Sequence, residues 1–194
     1  RTSRGLGDVY KRQAYGYALP GNPELASELA ARDASFTHNR TGIYGTMFIA
    51  AAISCAQVMK DKEEIIRTAL KYVPQESRFF IRSKLCLDEI LRASDWEDGY
   101  KKINNILNEY GHCRIYQEVG MMINSFLFAN NIYEGICIQV SQGADTDSFG
   151  ASVGSLLGSY YGPEGLDSKW LEIFNDDIHT CLLYTSPSPR DVRS

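Results

Sequence analysis

The sequence predicts an all-α fold, built as a single helical domain. Three observations carry this reading. Apolar residues recur at helical spacing over most of the chain, helix starts and stops are marked by capping residues, Pro and Gly, and no useful stretch alternates with period two in strand-forming residues. Neither an internal repeat nor an interdomain linker interrupts the pattern.

The elements follow in order. Leu19-Pro20-Gly21-Asn22-Pro23 is a turn cluster. The Ala- and Glu-rich stretch 24–35 reads as a helix, with Pro23 suited to its first turn. Polar residues 38–42 break it. Small and apolar residues dominate 43–60, as in a buried helix. Asp61 caps the next helix, which runs through Tyr72 with Glu63 and Glu64 in its first turn and stops before Pro74. The stretch 77–92 is amphipathic, its period set by Phe80, Leu85, Leu87, Ile90 and Leu91. Ser94-Asp95-Trp96-Glu97 has a capping-box pattern and opens a helix through Tyr110, which Gly111 terminates. Stretches 116–129 and 132–142 are helical and parted by Asn130-Asn131. A helix over 148–161 closes at Gly162-Pro163, and a last one spans 168–174.

Composition bounds the function classes. The 194 residues are 44% hydrophobic, 11% aromatic and 23% charged, which is the balance of a soluble globular domain. Twenty basic against 24 acidic residues give a net charge of −4, so no basic surplus points to nucleic acid. The longest apolar candidate, 47–59, is too short to span a membrane and carries Ser54 and Gln57. No signal peptide opens the chain, and five cysteines without pattern read as reduced, buried thiols of a cytoplasmic protein.

The two ends differ from the middle. Residues 3–13 read SRGLGDVYKRQ and residues 181–191 read CLLYTSPSPRD. A back-translation of the first, reverse-complemented and read one base out of frame, gives CLLYTSPSPR. The string resembles a transposase-tagging adapter used to build sequencing libraries. The expected organisation is therefore an adapter-derived tail over 1–13, a partial domain over 14–180 and a second adapter-derived tail over 181–194. The tails hold six basic residues (Arg1, Arg4, Lys11, Arg12, Arg190, Arg193) and two acidic ones (Asp8, Asp191). The segment 14–180 then keeps 14 basic and 22 acidic residues, net −8, which disfavours nucleic acid and anionic membranes further.

One segment stands out chemically: Gly143-Ala144-Asp145-Thr146-Asp147-Ser148-Phe149-Gly150. Two carboxylates at spacing two in a loop, followed by a hydroxyl at a helix start, can converge on one small volume. Hard divalent cations such as magnesium take oxygen ligands of this kind, and the Ser148 hydroxyl can complete a shell without adding charge. A plainer reading leaves Asp147 as an N-cap and Asp145 as a solvated loop carboxylate. Gly150, Gly154 and Gly158 repeat at spacing four in the helix that follows. Each costs roughly 1 kcal/mol against Ala, so the stripe suggests a face pressed against other backbone or a ligand.

Together with Gly154-Ser155-Leu156-Leu157-Gly158-Ser159-Tyr160-Tyr161-Gly162, this segment resembles the C-terminal signature of ADP-ribosylglycohydrolases, G-G-D-T-D-T followed by a G-x-x-x-G helix that ends in an aromatic pair and Gly. Asp33-Ala34-Ser35-Phe36-Thr37-His38, then Gly42 and Gly45, resembles the family's D-A-S-x-T-H block. The resemblance covers nearly all of 14–180, in order. It implies an all-α ADP-ribosylglycohydrolase fold, truncated here at its N-terminal side, with a two-magnesium centre. Asp145 and Asp147 match metal carboxylates, Ser148 stands where the family usually has a ligating Thr, and His38 matches a histidine lining the ADP-ribose pocket. The family's other ligands, its catalytic acidic residue and its phosphate loop are expected upstream of Ala14, so the catalytic residue is unknown here. The implied reaction is hydrolysis of the glycosidic bond at the anomeric carbon of ADP-ribose, carried by an ADP-ribosylated protein or a small ADP-ribose conjugate. This chain alone is expected to be inactive. The rivals are a non-catalytic ADP-ribose-binding or crystallin-like member and a hydrolase of another nucleotide-sugar bond. Among the remaining candidates, His112 and Cys113 lack further ligands at zinc spacing and read as loop residues. Gln117-Glu118 can face the pocket but read first as a helix surface, and His179 beside Asp176-Asp177 reads as surface.

Overall fold

The computed structural model describes residues 9–174 apart from His112. The 181–194 segment and His179 lie outside the described residues. Those described form ten α-helices and a single 3-10 turn, with no strand. The helices are α1 (Val9–Ala18), α2 (Pro23–Ala34), α3 (Thr41–Ala56), α4 (Lys62–Lys71), α5 (Arg78–Ile90), α6 (Trp96–Leu107), α7 (Ile115–Phe128), α8 (Ile132–Ser141), α9 (Thr146–Tyr161) and α10 (Ser168–Phe174), with the 3-10 turn at Pro163–Gly165. No helix among them is long and apolar enough to cross a membrane.

Helix α3 is the axis of the fold. Phe48, Ile49, Ala50, Ala51, Ala52 and Ile53 are fully buried along it, and α1, α2, α4, α7 and α9 all pack against it. An unbroken run of small and apolar side chains suits a helix surrounded on every side. Helix α1 was not expected from the sequence. It begins at Val9 within the segment read as a tail and packs on α3.

The helix starts show local sequence at work. Asn22, Asp61, Ser77, Asp95 and Asn131 each accept a hydrogen bond from the backbone N–H three residues on. The capping box of α6 sits one residue later than its pattern suggests. Asp95 accepts from the Asp98 N–H at 2.8 Å, and Asp98 accepts from the Ser94 N–H at 3.2 Å. Helix α6 also ends at Leu107, short of Gly111.

Two glycines set the approach of the helices that carry the site. A Cβ on Gly45 of α3 would lie 2.2 Å from Ile115 Cγ1 of α7, and one on Gly135 of α8 would lie 2.1 Å from Leu157 Cδ1 of α9. The Gly150, Gly154 and Gly158 stripe does not do this work. Added Cβ atoms there would meet Val140 at 3.7 Å, Ile136 at 3.5 Å and nothing within 4 Å, respectively. These are ordinary contacts or open space, so the stripe faces a groove instead of a tight helix interface.

A buried polar chain ties α7 to the end of α8. Asn124 Nδ2 donates to the Trp96 carbonyl at 2.9 Å and to Gln142 Oε1 at 3.0 Å, and Gln142 Nε2 donates to Ser125 Oγ at 2.7 Å. Gln142 directly precedes the acidic loop, so this network fixes where the loop begins. The far end of α9 is held separately. Tyr160 and Tyr161 donate to the carbonyls of Lys60 and Ala129, and Lys62 Nζ lies 5.3–5.4 Å from the rings of Phe126, Tyr160 and Tyr161. Burial at this point lowers the Lys62 pKa. Cys55 and Cys86 are buried as expected, and burial pushes their thiols to about 11 and about 12. Cys113 and Cys137 are exposed, contrary to the expectation of buried thiols; all four are free.

Candidate metal-binding site

The loop between α8 and α9 turns through two consecutive left-handed residues, Gly143 (φ 81) and Ala144 (φ 63). Glycine adopts that conformation freely. Alanine pays roughly 1–2 kcal/mol for it, which the surrounding packing must offset. The double turn swings Asp145 back to the N-cap position of α9, with Asp147 in the first helical turn.

Asp145 occupies the cap position, yet its side chain makes no capping hydrogen bond. Its carboxyl instead meets that of Asp147, while Cys113 from the α6–α7 loop also bonds it. Desolvation and then the Asp147 carboxylate raise the Asp145 pKa. The hydrogen bond from Asp145 and first-turn backbone N–H groups lower that of Asp147. Two carboxyls sharing a hydrogen bond titrate as a pair. The plainer sequence alternative, in which Asp147 is an N-cap, does not match this arrangement.

Ser148 is 7% exposed, and its Oγ has no hydrogen-bond partner. A buried hydroxyl left without a partner costs about 1–3 kcal/mol. One turn further, the Ser152 hydroxyl lies 2.8 Å from Glu118 Oε1 and 3.2 Å from the Ser148 carbonyl. Glu118 is 1% exposed and Gln117 6%, so the expected surface placement of this pair is overturned. Helix α7 buries that face against α9. Period alone could not show it, because a carboxylate in an otherwise apolar helix reads as its solvated side. Cys113 is a loop residue as expected, and from the exposed α6–α7 loop it reaches the Asp145 carboxyl.

His38 sits in the turn after α2, half-buried, with Nδ1 2.7 Å from Thr37 Oγ1 and its backbone N–H bonded to the Ala34 carbonyl. It lies on a different element from the aspartates. Asp145, Asp147 and Ser148 thus all lie at the start of α9, and His38 lies in the turn between α2 and α3.

The donor chemistry fits a hard cation. Two carboxyl groups and an orphaned buried hydroxyl are oxygen donors of the sort magnesium takes. Among the described residues no cluster of three or more His, Cys, Asp or Glu is placed to hold a metal. The three residues would supply only part of a magnesium shell, leaving the rest to water and further ligands.

A model of the ADP-ribosylglycohydrolase family matches residues 3–185. The chain belongs to the ADP-ribosylglycohydrolase family. No curated protein and no solved structure matches it. The all-α architecture agrees with that membership, and the family makes the chain an ADP-ribosylglycohydrolase-type hydrolase. The match takes in both motif segments of this ADP-ribosylglycohydrolase, the α2–α3 turn and the start of α9.

Proposed function

We propose that this ADP-ribosylglycohydrolase chain contributes one face of a two-magnesium centre that hydrolyses the glycosidic bond at the anomeric carbon of ADP-ribose. The substrate is an ADP-ribosylated protein or a small ADP-ribose conjugate, and the setting is cytoplasmic. The observation that carries the reading is the Ser148 hydroxyl, buried without a partner beside two carboxyls that share a hydrogen bond. A cation there would give the hydroxyl a partner and relieve the crowding of the carboxyls.

Asp145 and Asp147 would supply charge and Ser148 a neutral oxygen. When bound, the ions supply electrostatic stabilisation of the ribose hydroxyls and of an attacking water. The protein's own groups do the rest. The double left-handed turn at Gly143 and Ala144 sets the loop that brings Asp145 to the start of α9, and Ser152 bonds Glu118 and the Ser148 carbonyl one turn on. His38 would border the ADP-ribose as a positioning group. Two carboxylates and one hydroxyl cannot fill two octahedral shells, so the rest of the centre and the catalytic acid–base would come from residues other than these.

The test is release of free ADP-ribose from a panel of ADP-ribosylated acceptors, followed by chromatography. The complete open reading frame is expected to release ADP-ribose only with magnesium, and the 194-residue chain none. Robust turnover by the 194-residue chain, magnesium-independent release, or cleavage of other nucleotide-sugar bonds with ADP-ribose conjugates untouched would overturn the reading.

A further inference from the structure

A second cavity, of about 440 Å³, opens between the start of α3 and the start of α5. Arg40 and Arg78 line it with the hydroxyl residues Thr41, Tyr44, Ser77 and Tyr116, and Phe79 completes the wall. No carboxylate belongs to the lining. Among the described residues neither arginine has an ion-pair partner.

This arrangement is electrostatically unfavourable as it stands. Arg40 holds the N-cap position of α3 and Arg78 the first residue of α5. Both are helix ends where the aligned peptide dipoles already place positive charge, so a cation there is repelled. Helix α3 also starts without a side-chain cap. Arg40 itself is held at φ 45, ψ −113, a conformation that favours glycine. In a chain of net charge −4, two unpaired cations have been gathered at two helix starts around one hollow.

We infer that this cavity binds the phosphate monoester of a small compound carrying a planar ring. A phosphomonoester dianion matches two guanidiniums in charge. It also offers several acceptor oxygens to two planar donor forks and the surrounding hydroxyls. The rings of Tyr44, Phe79 and Tyr116 give the rest of the ligand an aromatic wall. Tyr116 is itself stacked on Tyr110, with centroids 4.1 Å apart, and so is fixed in place. The volume suits a small molecule. The inference goes beyond the proposed hydrolysis and is independent of it, because Asp145, Asp147 and Ser148 take no part in the cavity.

The test is calorimetric titration of the 194-residue chain with phenyl phosphate, inorganic phosphate, phenol and ADP-ribose. Saturable binding of phenyl phosphate is expected, tighter than inorganic phosphate, with none for phenol. Arg40→Gly and Arg78→Gln should each weaken it tenfold or more. Arg40→Gly places glycine where the backbone favours it, so its melting temperature should equal or exceed that of the parent, and the lost binding cannot be attributed to unfolding. No saturable binding of phenyl phosphate would overturn the inference, and so would affinity unmoved by both substitutions. ADP-ribose binding that depends on both arginines, with phenyl phosphate silent, would overturn the monoester assignment as well.

Discussion

Among helices α2 to α9, five begin on a side chain that closes the first turn, and three begin without one. Asn22, Asp61, Ser77, Asp95 and Asn131 cap α2, α4, α5, α6 and α8. Arg40, Arg114 and Asp145 stand at the starts of α3, α7 and α9 and make no such bond. The capped helices form a frame whose local chemistry and fold agree. The uncapped starts carry most of the residues proposed for ligands, Asp145 to Ser148 on α9, Arg40 and Thr41 at α3 and Tyr116 at α7, while the capped start of α5 adds Ser77 and Arg78 to the arginine cavity. At α9 the cap position goes to a carboxyl that bonds other side chains instead of the helix backbone, which agrees with the ligand role proposed for it.

The largest expected effect sharpens the same contrast within α9. It packs tightly against α8 at Leu157, and the Gly158 position is open. Gly135→Leu places a side chain against Leu157, 2.1 Å from where its Cβ would stand, and should cost about 3 kcal/mol. Gly158→Ala meets nothing within 4 Å and should instead stabilise by about 1 kcal/mol, through helix propensity alone. Urea midpoints of both variants measure the pair. Equal destabilisation would mean that the glycine face is packed after all.

Next comes the polar chain behind the acidic loop. Asn124→Leu strips Gln142 and the Trp96 carbonyl of a buried partner and should cost about 2 kcal/mol by the same unfolding assay. Smaller still are the caps. Asp61→Ala and Asn131→Ala should each cost about 1 kcal/mol, whereas Asp145→Ala should cost no more than a few tenths, because no capping bond is lost. A loss at Asp145 as large as at Asp61 would break the division between frame and site.

The legibility of the sequence follows the same division. Helices α4 and α6 were readable because Asp61 and the Ser94–Glu97 capping pattern act over three or four residues, α2 because its Ala- and Glu-rich run follows Pro23, α5 because its apolar period is regular, and α3 because its apolar run is continuous. Helix α1 was not, since its first residues were assigned to a tail. The Asp145-Thr146-Asp147-Ser148 cluster was readable because its spacing is local. Cys113, Glu118 and the Asn124–Gln142 network were not, because only the packing of α7 on α8 and α9 brings them to the loop. For the glycine stripe on α9 only the close-backbone half of the expectation is excluded, for a related reason. Spacing four shows which residues share a face, and says nothing of what that face meets.

The central claim is that the uncapped carboxyls of α9 serve a cation. Calorimetric titration of magnesium into the 194-residue chain and its Asp147→Asn variant, beside metal-free melting curves, tests it most directly. The parent chain should bind magnesium saturably but weakly, on the order of millimolar, as a partial shell does. Asp147→Asn should bind at least tenfold more weakly while melting within about 2 °C of the parent. Equal affinity in the two proteins, or no magnesium binding by the parent, would contradict the assignment of Asp145, Asp147 and Ser148 as ligands.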